Sequence, residues 1–194
     1  AALGRARTEP VDDLARLTFA VRVDAPGTLL RDYQTAKDWA TDPNGAASLS
    51  TRYYLSDAVF VAAVEGDQEV LKNIESALKK PVYPLYLGRR SCPAGYDLVL
   101  GIREESAEEA LRNEEWHVPE HRGAEFPDPV QLRILRDAKP GEQGDLVQDV
   151  PVSFNQEHRQ YAVRAVVSAE PKTVENPKGK RHSDVDFMRT VTEA

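Results

Sequence analysis

The stretch Leu87–Pro93 (LGRRSCP) holds the chain's most compact set of anion-gripping residues. Gly88 permits a tight turn that brings the backbone close to a ligand. Arg89 and Arg90 carry planar forks of donors that clasp phosphate bidentately or lie flat on a base, and Ser91 adds a hydroxyl. Composition alone leaves two readings open, a phosphate grip and a solvated basic turn. Cys92 has two guanidinium neighbours of the kind that lower a thiol pKa. No histidine is near it in sequence, and a small packing role fits it better.

A second set lies between Thr28 and Tyr54, where Arg31, Tyr33, Lys37, Trp39, Arg52, Tyr53 and Tyr54 interleave cations with aromatic rings. Single-stranded RNA is held by that combination, charge for the phosphates and flat surfaces for the bases. The plainer reading tucks the rings back onto a sheet. Neighbours in a strand face opposite ways, so one of Tyr53 and Tyr54 is expected to point inward.

The histidines point to little chemistry. His117 and His121 have the four-residue spacing of a helical metal pair, but Pro119 between them opposes a helix. His158, next to Arg159 and near Tyr161, has the makings of a metal-free acid–base group, or of an exposed turn residue. No Walker loop, GxGxxG, GxSxG or HExxH motif occurs. No metal or cofactor is expected.

The elements that must position these residues can be read from periodicity. Leu17–Val23 (LTFAVRV) alternates as a strand with one buried face. Thr28–Arg52 is an insertion, either a long loop or a long hairpin with Pro43–Gly45 at its tip. Tyr53–Val64 (YYLSDAVFVAAV) reads as one apolar central strand. Gln68–Lys80 places Val70, Leu71, Ile74, Ala77 and Leu78 on one helical face behind an Asp67 cap, and Pro81 stops it. Val82–Pro93 is a short apolar segment broken by Pro84, and Asp97–Ile102 a strand. Ser106–Asn113 is a helix with a Ser106/Glu109 capping box. His117–Pro129 reads as linker, Pro129–Arg136 as a strand, and Asp149–Phe154 with Arg159–Ala169 as antiparallel partners. After Pro171 the chain turns polar and basic, as an extended tail would. Ala1–Arg7 reads as the end of a helix whose start lies ahead of it.

The order strand, insertion, strand, helix, short strand over Leu17–Arg90 is the second half of a βαββαβ ferredoxin-like unit. The expected architecture is α+β. Residues 1–102 form an RNA-binding domain with the insertion at 28–52, residues 103–170 a β-rich region, and residues 171–194 a tail.

The chain has 194 residues, 41% of them hydrophobic and 29% charged. No apolar run approaches the roughly 18 residues of a membrane helix. A single cysteine excludes a disulfide framework and a four-cysteine zinc site, and fits a reducing cytoplasm. The net charge of −7 argues at first against nucleic acid, which favours basic surfaces. That charge is concentrated: Glu104–Glu115 holds six glutamates against Arg112, a run expected to be a solvated helix face.

Four segments together, LLRDYQT (Leu29–Thr35), STRYYLSDAVFVAAV (Ser50–Val64), KKPVYPLYLGRRSCP (Lys79–Pro93) and the strand through Arg159–Val167, resemble the CasD family of CRISPR-associated proteins. This is the type I-E form of the fifth-numbered Cas family, in the RAMP superfamily. The resemblance implies an RNA-recognition-motif-like, ferredoxin-like fold with a protruding β-hairpin thumb at residues 28–52. It implies a non-catalytic subunit of the Cascade surveillance complex in the prokaryotic cytoplasm. Such a subunit holds the 5′ handle of CRISPR RNA and caps the backbone filament beside the backbone subunit CasC and the large subunit CasA. It meets target DNA only through the complex. The implied handle contacts are Arg31, Tyr33, Arg52, Tyr54, Gly88, Arg89, Arg90 and Ser91. The alternative is an endoribonuclease: type I-C relatives cut precursor CRISPR RNA without metal using Tyr, Lys and His, for which Tyr33 or Tyr54 with His158 would be the nominees. The family opens with a strand and a helix that have no counterpart in this sequence.

Overall fold

A computed structural model describes residues 1–37, 40–42, 44–95, 98–155 and 157–181. The expectations that fall on Trp39, Pro43, Asp97 and the chain beyond Arg181 lie outside the described residues. Residues 1–7 form turns, not a helix end; the Gly4 amide bonds the Ala1 carbonyl at 3.1 Å.

The first elements are a single helical turn, α1 (Asp12–Ala15), and strand β1 (Thr18–Ala25). Strands β2 (Thr28–Ala36) and β3 (Ser48–Ser56) form an antiparallel hairpin, with Thr28 opposite Ser56 and Ala36 opposite Ser48. Strand β4 (Val59–Glu65) follows. The continuous apolar run Tyr53–Val64 is therefore two strands and not one. The break is Asp57, whose φ of 59° is left-handed, a conformation Asp tolerates better than most residues. Gly27 faces this break with φ 72°, and a Cβ there would stand 2.5 Å from the Ser56 carbonyl oxygen.

Helix α2 (Gln68–Lys79) starts as its sequence dictates. The Asp67 carboxylate accepts from the amides of Glu69 (2.9 Å) and Val70 (3.1 Å), a cap worth about 1 kcal/mol. Neither strand expected after it forms. Val82–Pro93 contributes only a Tyr86–Pro93 bridge, because Pro84 lacks an amide proton and Gly88 turns the chain. Leu98–Ile102 has no strand assignment, and Gly101 holds φ 111°, outside the strand region.

Helix α3 (Ala107–Asn113) has both halves of its capping box in place. The acidic run around it is not a free solvated face. Glu108 bonds Arg112 and Arg136, each at 2.9 Å, and buried Glu114 pairs with Arg103. Arg22 of β1, with no exposed surface, donates to the carbonyls of Leu111 (2.5 Å), Glu114 (2.7 Å) and Glu115. A cation at the negative end of a helix satisfies carbonyls that the helix itself cannot.

The supposed linker is ordered. It holds a 3-10 helix (Glu120–Glu125) and the two-residue strand β5 (Pro127–Asp128). Trp116 meets Phe126 edge-on at 5.4 Å. Strands β6 (Val130–Asp137), β7 (Asp145–Ser153), β8 (Gln160–Val174) and β9 (Lys180–Arg181) complete the chain. Residues 171–181, expected to trail, are instead folded: β8 continues to Val174, and β9 pairs in parallel with β5. Buried Asn176 donates to the carbonyls of Gly123 (2.9 Å) and Pro127 (3.0 Å), tying the two segments together.

The main sheet has the order β4-β1-β6-β8-β7. Edge strand β7 pairs antiparallel with β8 through two register shifts, one on each side of Pro151. The chain divides into two compact units, one of residues 1–22, 62–115 and 131–173, the other of residues 23–61, 116–130 and 174–194. Leu111, Leu132 and Ile134, each at most 1% exposed, form the centre of the first. Burial of each stabilises by roughly 2 kcal/mol. Val61, Val118 and Val130 are buried in the second. Among the described residues no helix is long and apolar enough to cross a membrane.

Candidate nucleic-acid interface

The arginine-bearing turn is a closed loop. The Leu87 amide bonds the Cys92 carbonyl at 2.8 Å and the Cys92 amide bonds the Arg89 carbonyl at 2.9 Å, while Tyr86 and Pro93 bridge its base. Gly88 holds φ 79° with nothing within 4 Å of where a Cβ would stand. The glycine is required by the turn itself, because its backbone angle is strained for any other residue. Arg89, Arg90 and Ser91 are all exposed along the tip. Cys92 is half-buried below them, its sulfur 3.9 Å from the Ser91 hydroxyl. Two neighbouring guanidinium groups on a backbone fixed by internal hydrogen bonds can take a phosphate without first ordering the loop.

The other four residues lie on the β2–β3 hairpin, and the register divides them between its faces. Arg31 stands opposite Tyr53, and Tyr33 opposite Thr51. All four are exposed, and the Arg31 guanidinium carbon lies 5.8 Å from the Tyr33 ring centre. Arg52 stands opposite Asp32, and Tyr54 opposite Leu30, on the face where Asp32, Gln34, Arg52 and Tyr54 are half-buried. With the Gln34 amide oxygen turned toward it, Arg52 donates at 2.9 and 3.1 Å. Of the two adjacent tyrosines, the exposed one is Tyr53, at 57%. Alternation predicts that one of the pair points out; which one depends on how the hairpin leaves the sheet at Gly27 and Asp57.

His158 is exposed, and His117 and His121 do not share a helix, since the 3-10 turn begins only at Glu120. A separate concavity of about 470 Å³ is lined by Val11, Leu14, Ile74, Ala77, Leu78 and Phe154, with Arg5, Arg7 and Arg159 among its walls. It is apolar, and its lining contains no acid, thiol, hydroxyl or imidazole. Exposed Tyr83, Tyr86 and Leu87 flank the arginine loop; sequence reasoning passed over them because apolar residues beside prolines look like a strand.

Over residues 1–167 the chain matches the family described as CRISPR-associated protein (Cas_Cas5), and it belongs to that Cas5 family. It is 39% identical over 113 residues to the CRISPR system Cascade subunit CasD of Escherichia coli (strain K12), a match covering 50% of each protein. The chain thus spans about half the length of that curated relative. Among solved structures, it is similar to a chain of a CRISPR RNA-guided surveillance complex, with TM-score 0.70 and 30% identity over 92% of this chain and 77% of that one. It is also similar to a crystal structure of a Cas protein, with TM-score 0.61 and 32% identity over 93% of this chain and 78% of that one.

Proposed function

We propose that the chain serves as an RNA-holding subunit of a CRISPR Cascade surveillance complex, without cutting RNA itself. It grips the 5′ handle of CRISPR RNA and caps the backbone filament, beside the backbone and large subunits. The observation that carries this reading is the Tyr86–Pro93 loop, where Arg89 and Arg90 stand exposed on a turn closed by hydrogen bonds. A fixed pair of guanidinium groups suits successive phosphates. The β2–β3 hairpin is the thumb of a ferredoxin-like, RNA-recognition-motif-like domain, supplying Arg31 and Tyr33. Sequence discrimination falls to base pairing by the guide, and this subunit reads the shape and backbone of the handle. The similarity to CasD and to a surveillance-complex chain supports the placement in such an assembly.

The test is handle-RNA affinity measured across a salt series. Arg89→Ala with Arg90→Ala is expected to weaken binding and reduce the slope of log affinity against log salt by about 1, since roughly 0.7 counterions are released per single-strand phosphate contact. An unchanged affinity and slope would remove the loop from the site.

A further inference from the structure

The two faces of the hairpin differ in chemistry. On the half-buried face the cation of Arg52 lies across from Asp32 and bonds Gln34, so its charge is answered within the hairpin. The opposite face carries Arg31 and Tyr33 from β2 and Thr51 and Tyr53 from β3, flanked by Leu29 and Leu55. All six are exposed, Tyr33 and Tyr53 at 57% each and Leu29 at 70%. No carboxylate lies on that side of either strand. The Arg31 guanidinium is already within cation–π range of Tyr33 and is the direct cross-strand partner of Tyr53. One cation therefore stands between two wettable rings on a flat, acid-free surface.

We propose that this face is a stacking platform for unpaired nucleobases of single-stranded RNA. Tyr33 and Tyr53 supply the ring surfaces, Arg31 the cation between them, and Arg52 and Tyr54 act within the hairpin instead. The proposal rests on the RNA-holding reading above and deepens it by assigning the mode of contact and adding Tyr53. Charge selects this occupant. A protein covering the face would desolvate Arg31 with no acid on the hairpin to answer it, a costly burial. A polyanion brings its own countercharge, and its bases offer flat π faces to the rings. Stacking of this kind tolerates any base, because every base has such a face.

The experiment uses the full chain and a short single-stranded RNA carrying one 2-aminopurine, whose fluorescence falls when it stacks. Tyr33→Ala with Tyr53→Ala is expected to weaken binding roughly ten-fold or more and to abolish the quench at saturation. Tyr33→Phe with Tyr53→Phe, which keeps the rings, should restore both. Arg89→Ala with Arg90→Ala should weaken binding but leave the saturated quench intact, which separates the platform from the arginine loop. If the alanine pair, folded by circular dichroism, binds and quenches as the parent does, the platform is overturned and the loop reading stands. If the parent chain binds no RNA, both are overturned. If the alanine pair keeps RNA but loses association with other complex subunits, the face is a protein dock and the proposal fails.

Discussion

Arg22 and Leu111, eighty-nine residues apart in sequence, are joined by a 2.5 Å hydrogen bond from a wholly buried guanidinium to the last full turn of α3. The same side chain serves the carbonyls of Glu114 and Glu115, so one residue of β1 closes the end of the helix.

Replacing it by an apolar residue of similar length tests this directly. Arg22→Met leaves buried carbonyls without donors, at about 1–3 kcal/mol for each one unsatisfied. We expect a fall in melting temperature on the order of 10 °C, read by calorimetry, since 1 kcal/mol moves a domain of this size by roughly 2–4 °C. A melting temperature within a degree or two of the parent would show that water takes over the role.

Gly27 offers a second test, at the root of the hairpin. An alanine there combines a left-handed φ of 72° with a methyl group 2.5 Å from the Ser56 carbonyl oxygen. Strain of roughly 1–3 kcal/mol should loosen the hairpin. Faster amide hydrogen exchange is expected across Thr28–Ala36 and Ser48–Ser56, with exchange in β6 unchanged. Equal acceleration in β6 would mean that the hairpin root is not a local unit.

Acid should destabilise the protein in a defined window. Arg136 hydrogen-bonds Glu142 and holds its carboxyl down to about 2, and Arg5 does the same for Asp13. Hydrogen bonds from Arg112, with the charge of Arg136 added, lower Glu108, and Arg164 lowers Asp149. Because each folded value lies below the unfolded one near 4, the stabilisation is complete above about pH 4 and disappears as pH falls toward about 2. Denaturant midpoints measured along that range should drop. The gap between the parent and Arg136→Met should be widest at neutral pH and narrow as acidity increases. A gap that does not vary with pH would detach Glu142 from Arg136.

Non-catalytic holding carries its own expectation. Incubation of the chain with labelled precursor CRISPR RNA, with or without EDTA, should yield no discrete product. A product that vanishes in His158→Ala would make this an endoribonuclease.

Local rules were enough for some elements. Asp67 and the Ser106/Glu109 pair mark their helices, and strict alternation marks β6. Elsewhere the decisive partner lies far away. Arg22 looks like a solvent-facing residue of an alternating strand until the α3 carbonyls arrive. Asn176 is one polar residue in a polar stretch until Gly123 and Pro127 surround its amide. The break at Asp57 is hidden because its neighbours are all good strand formers. In the interface, the Gly88 turn with its arginines could be read directly, because one residue type dictates that geometry. The assignment of Tyr53 outward and Tyr54 inward could not, since a period of two fixes alternation without fixing its sign.

The irregular pairing of β7 bears on how the chain behaves in a crowded cell. An outermost strand with exposed Leu146 and Val152 is a natural template for an unrelated strand to lengthen the sheet. Pro151 removes a donor at mid-strand, and the two slips in register on either side spoil the spacing that a newcomer would need. Sheet extension is thus discouraged at one end of the sheet by backbone irregularity alone. The apolar side chains there remain available for contacts that depend on shape and not on strand pairing.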